Sequence, residues 1–318
     1  MKRRILLGII VLSVILLTMS YSQPAFAQNQ EKILYPKDRS KVHVLSPKDV
    51  NKNEKGKARN KFSLPDLSKP NKWAILIGIA DYEGKSNDLW HLDEDAREMY
   101  NVLINKYGFA RDHIILLTNK KATAKAILNA IDWLLKWENE TSLVVFFYSG
   151  HGYNASEEET SSVGYPVDEV DGVDECIVSY DLYAIPDDLL SAKLSELDSR
   201  NVFLWFGSCF SGGMDDVYRA HNVKMKTAIL TTACQEHQLS YDVLRLRNTL
   251  FGYYCIDEGM KQEMADGYGN NGVIDGTVTV EEAFYYADQH VNTFVQLYGL
   301  DFSDPEVFDS DVNTDFYL

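Results

Sequence analysis

The chain has 318 residues, 45% of them hydrophobic, and a formal net charge of −16. That size and apolar content exclude a disordered chain, and four widely spaced cysteines (Cys176, Cys209, Cys234, Cys255) give neither a disulfide framework nor a CxxC zinc pair. Charge is uneven: Gln28 to Lys72 carries 12 Lys/Arg against 5 Asp/Glu, whereas Trp73 onward carries 16 against 42, and so acidic a body repels phosphate backbones, excluding nucleic acid as a partner.

Lys2, Arg3 and Arg4 precede an apolar run from Ile5 to Met19, followed by the small-x-small pattern Ala25-Phe26-Ala27. This is the layout of an export signal over 1–27, with Gln28 opening the mature chain. The run is shorter than the roughly 20 residues that span a bilayer. A secreted or cell-envelope protein with no stable membrane span after cleavage is expected; an uncleaved N-terminal anchor is the alternative. Residues 28–71 are rich in Lys, Asn, Ser and Pro, with scattered apolar positions (Ile33, Leu34, Val42, Val44, Leu45). They read as a basic linker or pro-segment without its own core, drawn to the acidic domain by charge.

From Lys72 strands and helices alternate. Trp73–Ile79, Ile114–Thr118, Leu143–Tyr148, Val202–Phe206 and Lys226–Ala233 are short apolar runs, as expected of strands buried on both faces. Leu92–Tyr107, Ala122–Trp137, Asp187–Leu197 and Val280–Leu297 have helical spacing, and Leu250–Met260 reads as a helix or a strand running into one. Residues 153–175 are acidic and aperiodic, so a long loop is expected. The pattern predicts one α/β domain over 72–318 with a mostly parallel sheet covered on both faces, and ligands at the carboxyl ends of the strands.

Two of those ends hold reactive residues in glycine-rich turns: Tyr148-Ser149-Gly150-His151-Gly152 and Gly207-Ser208-Cys209-Phe210-Ser211-Gly212-Gly213. An imidazole beside a thiol can take its proton and return it to a leaving amine. His151 and Cys209 are therefore the candidate catalytic dyad, and the N–H groups of Gly152 and Cys209 the candidate oxyanion hole. A helix beginning after Gly213 would help to lower the Cys209 pKa.

With these motifs the sequence resembles the caspase-like cysteine peptidases, and their metacaspase branch in particular. YSGHG at 148–152 and the Ser-Cys-x-Ser-Gly portion of 208–212 carry the resemblance, and their separation of 58 residues is near the roughly 50 expected for caspases. The resemblance implies a three-layer α/β/α sandwich around a mostly parallel sheet. It also implies an acidic pocket for Arg or Lys before the cut, of which Asp95 would be one substrate-binding acid. The second acid would stand where this chain has Gly207, so half the pocket is missing; Asp95 as a simple helix N-terminal charge is the alternative.

The same resemblance places calcium-binding carboxylates at Asp171, Asp187, Asp188 and Asp216. The chemistry itself needs no cofactor. A second calcium candidate is a degenerate EF-hand-like loop over 271–282, with Asn271, Asp275 and Glu282 at positions 1, 5 and 12 but Val273 at position 3; a plain turn capping the last helix is the alternative. The expected function is a secreted cysteine endopeptidase acting on protein or peptide substrates. The alternatives are a catalytically retired fold serving as a calcium-dependent binding module, and a transpeptidase using the same dyad.

Overall fold

The computed structural model describes residues 31–50, 62–222, 227–269 and 272–318. The expected signal at 1–27, part of the basic stretch and Asn271 lie outside them. Thirteen strands are described: β1 (Glu31–Ile33), β2 (His43–Val44), β3 (Lys72–Gly78), β4 (Ile114–Thr118), β5 (Leu143–Ser149), β6 (Gly152–Ser156), β7 (Val173–Val178), β8 (Tyr183–Pro186), β9 (Asn201–Gly207), β10 (Thr227–Thr232), β11 (Tyr241–Val243), β12 (Asn248–Thr249) and β13 (Glu306–Asp309). The helices are α1 (Leu92–Asn105), α2 (Ala124–Trp137), α3 (Glu157–Val163), α4 (Asp187–Leu194), α5 (Asp215–Asn222), α6 (Leu250–Gly252), which runs on as a π-helix over Tyr253–Lys261, and α7 (Val280–Tyr298).

The central sheet has the order β13-β10-β9-β5-β3-β4, parallel except for the antiparallel edge strand β13. Side chains alternate across it. Trp73, Ile75 and Ile77 face α2, α4 and α5, while Ala74 and Leu76 face α1, the π-helix and α7. Two cores on one sheet make the expected three-layer sandwich, and explain why the strands read as unbroken apolar runs.

Two expectations are corrected. Residues 153–175 are not one long loop: β6 passes into α3 through a Ser156/Glu159 capping box, α3 stops at left-handed Gly164, and β7 returns antiparallel to β6. Nor is the described part of the basic stretch a bare linker. Lys32–Leu318 fall in one unit, Leu34 and Leu45 are buried, β2 pairs with β8, and the Leu45 N–H donates to Ala184 O at 2.8 Å. Isolated apolar anchors and backbone pairing hold it, which helical or strand periodicity does not reveal. Among the described residues no helix is long and apolar enough to cross a membrane.

Candidate active site

β5 and β9 are neighbours in register, Ser149 opposite Gly207, so His151 and Cys209 each lie two residues past the ends of adjacent strands. The turns touch: a Cβ on Gly152 would stand 1.9 Å from Cys209 O, so only glycine permits this approach. Two tyrosines fix the histidine turn from below. The His151 N–H donates to Tyr82 Oη at 2.7 Å, and Tyr148 Oη lies 2.7 Å from His151 O and 2.9 Å from Val178 O.

His151 Nε2 is 2.7 Å from Asn87 O. A carbonyl only accepts, so Nε2 carries the proton and Nδ1 keeps its lone pair; Nδ1 is buried without a hydrogen-bond partner. The Ser240 N–H donates to Cys209 Sγ at 3.2 Å. The turn after Cys209 puts Phe210 at φ 60°, and Ser211 Oγ accepts from Ala233 N and Cys234 N at 3.1 and 3.3 Å. The expected helix follows as a short 3₁₀ turn, Ser211–Met214, leading into α5.

Both reactive residues are sealed, each 1% exposed. Burial pushes the His151 imidazole down to about 4 and the Cys209 thiol well above its usual value, so both are neutral in this arrangement. The seal is the N-terminal strand. Leu34 is fully buried; its carbonyl accepts from Gly152 N at 2.9 Å and its N–H donates to Ser240 O at 2.9 Å. One expected oxyanion-hole donor, the Gly152 N–H, therefore already holds a peptide carbonyl.

Asp95 is wholly enclosed. Its Oδ2 accepts from Ser149 Oγ at 2.7 Å and Thr249 Oγ1 at 2.8 Å, and its Oδ1 from Thr249 N at 3.2 Å. Burial nevertheless raises its carboxyl to about 8. The place of the missing second acid is filled: a Cβ on Gly207 would be 2.3 Å from Trp205 Cη2, and that indole is stacked between Phe147 and Phe251. Another acid stands nearby on β11. Asp242 Oδ2 accepts from Trp90 N at 2.5 Å, while Oδ1 has no hydrogen-bond partner, and burial pushes the group up to about 7.

An acidic cluster lies behind the cysteine turn. One carboxylate oxygen from each of Glu169, Asp174 and Asp187 falls within 4.8 Å of the others. Of the four expected calcium ligands, Asp187 belongs to this group. Asp188 and Asp216 both raise its pKa, as does Glu169 beyond the larger effect of burial, and Asp171 acts on Glu169 and Asp174 in the same direction. Burial with neighbouring carboxylates lifts Asp188 to about 6, Glu169 to about 7 and Glu175 to about 9. Asp187 Oδ2 and Asp188 Oδ2 are buried without hydrogen-bond partners, as oxygens meant for a hard cation would be. Glu175 links the cluster to the catalytic turn, because a Cβ on Gly213 would stand 2.1 Å from its Oε2.

The family model described as the caspase domain matches residues 71–264, more than half of the chain. The chain belongs to the caspase-domain family. It is 31% identical over 151 residues to Metacaspase-7 of Arabidopsis thaliana, covering 46% of this chain and 36% of that one. It is 32% identical over 164 residues to Metacaspase-1 of Candida albicans, covering 48% and 36%. The matched region thus spans about a third of the length of these curated relatives. A protein of Geobacter sulfurreducens with a known crystal structure shares the fold at a TM-score of 0.53 and 21% identity, over 76% of this chain and 93% of that one.

Within this caspase domain, Glu169 and Asp174 were not expected in the acidic cluster, nor Glu175 beside it, because their stretch reads as a featureless loop; Asp174 and Glu175 instead lie on β7. Ser240 and Asp242 were missed too, lying beyond the two motifs with no signature of their own. In the EF-hand-like stretch, Glu282 takes the helix-capping role that the alternative gives it. Its Oε1 accepts from Gly267 N at 2.8 Å and its Oε2 from Thr279 N at 2.9 Å in the capping box of α7. Asp275 Oδ1 likewise accepts from Thr277 N at 2.8 Å. The stretch caps a helix, with each oxygen of Glu282 accepting a backbone N–H.

Proposed function

We propose that this caspase domain is a cysteine endopeptidase in which Cys209 is the nucleophile and His151 the base. The observation that carries the reading is a peptide carbonyl, that of Leu34, resting on the Gly152 N–H at the turn between the two dyad members. With a substrate there, Cys209 Sγ attacks the carbonyl carbon and its proton passes to His151 Nδ1. The Asn87 carbonyl keeps the ring in the tautomer that can receive it. The oxyanion forms against the Gly152 and Cys209 N–H groups. Collapse breaks the C–N bond as His151 Nδ1 protonates the departing amine, and water, giving a proton back to His151, then hydrolyses the thioester.

The reading includes export through residues 1–27 and a calcium ion held by Asp187 with Glu169, Asp174, Asp188 and Asp216. Calcium would supply charge neutralisation, letting the acids ionise without mutual repulsion and steadying Glu175 against the cysteine turn. Preference for Arg or Lys directly before the cut has less support, because all the hydrogen bonds of Asp95 are made inside the fold and Trp205 fills the other half of that pocket.

The test is cleavage of fluorogenic peptides ending in Leu, Arg, Lys, Asn and Asp, with and without calcium, beside labelling of Cys209 by a peptide aldehyde. Cys209→Ala should abolish cleavage and labelling. A retired fold kept as a binding module would give neither even after Leu34→Gly loosens the sealing strand; a transpeptidase would give amine-joined products.

A further inference from the structure

We infer that Lys32–Leu34 lies in the substrate groove as a peptide substrate does, and that Trp90, Asp242 and the Asp88 carbonyl form a subsite for a basic residue two positions before the residue whose carbonyl is attacked. This rests on the peptidase reading above and deepens it by naming the peptide the groove takes.

The backbone gives the register. The Leu34 carbonyl is on the oxyanion donor Gly152 and its N–H is on Ser240 O, so Leu34 stands where the residue before the cut would stand. β1 joins β11 and β12 in one sheet, so the chain segment extends an existing sheet edge, the usual way an extended peptide is bound. The side chains alternate as a bound strand requires: Leu34 is buried, Ile33 is 43% exposed, and Lys32 turns inward again.

Lys32 Nζ donates to Asp88 O at 2.7 Å and lies 4.6 Å from the centre of the Trp90 ring. Asp242, whose Oδ1 has no hydrogen-bond partner, attracts it electrostatically, as does Asp88. A carbonyl, an indole face and a buried carboxylate whose Oδ1 accepts no hydrogen bond and lies 3.8 Å from His91 Nδ1 together select a cation on a long stem, so Lys or Arg fits and a short or acidic side chain does not. The leaving side is clamped. Tyr35 packs edge-on against Phe210 at 5.3 Å, its Oη donates to Asn154 Oδ1 at 3.2 Å, and the Arg39 guanidinium lies over Tyr35 and Tyr153. A strand so held competes with any substrate at the high effective concentration of a tethered ligand, so the groove opens only when Lys32–Tyr35 leaves it.

The experiment uses the full mature chain from Gln28, the double variant Lys32→Ala/Leu34→Gly, and the synthetic peptide of residues 31–37. Iodoacetamide should label Cys209 at least tenfold faster in the double variant than in the parent, with both confirmed folded by circular dichroism. The synthetic peptide should slow that labelling, its Lys32→Ala version should bind about tenfold more weakly, and Asp242→Asn in the double variant should erase the difference between the two peptides. In cleavage, a Lys-Ile-Leu coumarin amide should exceed Ala-Ile-Leu by a similar factor. Equal labelling of parent and double variant overturns the groove assignment. Equal protection by both peptides, or a lysine preference that survives Asp242→Asn, overturns the subsite. Peptide-dependent protection without any cleavage would uphold this inference while refuting the peptidase reading.

Discussion

Restoring the missing pocket acid as Gly207→Asp tests whether Trp205 has closed that half of the pocket. The new Cβ would sit 2.3 and 2.4 Å from two indole carbons, where carbon atoms rest comfortably at about 3.5–4.0 Å, so the ring must move by about 1 Å. Movement is resisted by Phe147 at 4.1 Å and 11° and by Phe251 at 5.2 Å and 13°. Overpacking of this kind costs roughly 1–3 kcal/mol. The carboxyl adds a buried polar group without a donor, about 1–3 kcal/mol more, giving a total near 2–6 kcal/mol. Urea unfolding followed by circular dichroism, in a Cys209→Ala background to prevent self-cleavage, measures it. Gly207→Ala should show the packing part alone, and Gly207→Asp with Trp205→Ala should cost less than the sum of the single changes. A Gly207→Asp protein within about 0.5 kcal/mol of its parent would refute the reasoning, since a change that small is typical of open surface sites.

Asp95 gives a pH prediction. Its folded pKa near 8 lies above its unfolded value, so its contribution to stability is fully present below about 4 and is lost as pH rises through 8. Melting temperatures should fall between pH 5 and 9, and Asp95→Asn, neutral throughout, should flatten that fall; an unchanged slope would count against a buried neutral Asp95. Tyr82→Phe leaves the His151 N–H buried without its acceptor, and should cost about 1–3 kcal/mol in urea unfolding together with a loss of peptide cleavage. Asp187→Asn should raise the melting temperature of the calcium-free protein by relieving repulsion, yet abolish the upward shift expected when calcium is added to the parent. A calcium shift that persists in the variant would remove Asp187 from the site.

The sheet was legible because buried parallel strands leave runs such as Trp73–Ile79 and Leu143–Tyr148 with no polar interruption. The dyad was legible because its chemistry needs glycines at fixed offsets. The sealing strand was not, since Leu34, Val42 and Leu45 each find a separate anchor and share no period. β7 was obscured by its own Asp174 and Glu175, acids that look solvated in sequence but are buried in the fold. The closure of the pocket by Trp205 was readable in part. Residues 205 and 207 share one face of a strand, so a bulky ring followed two positions later by glycine is a steric pair.

The antiparallel strand β13 has a consequence for how copies of this protein meet. By hydrogen-bonding along β10 from Ile229 to Thr232, it covers the amide ladder of β10 and leaves as the edge on that flank only its own four residues, Glu306–Asp309, acidic at both ends. Two molecules cannot then zip their sheets together across β10, and the opposite flank is only the five-residue β4, which ends in a turn bearing Lys120 and Lys121. A short margin with positive charges at its tip is a poor template for a neighbouring strand, so neither flank invites the stacking of chains that an unguarded sheet promotes.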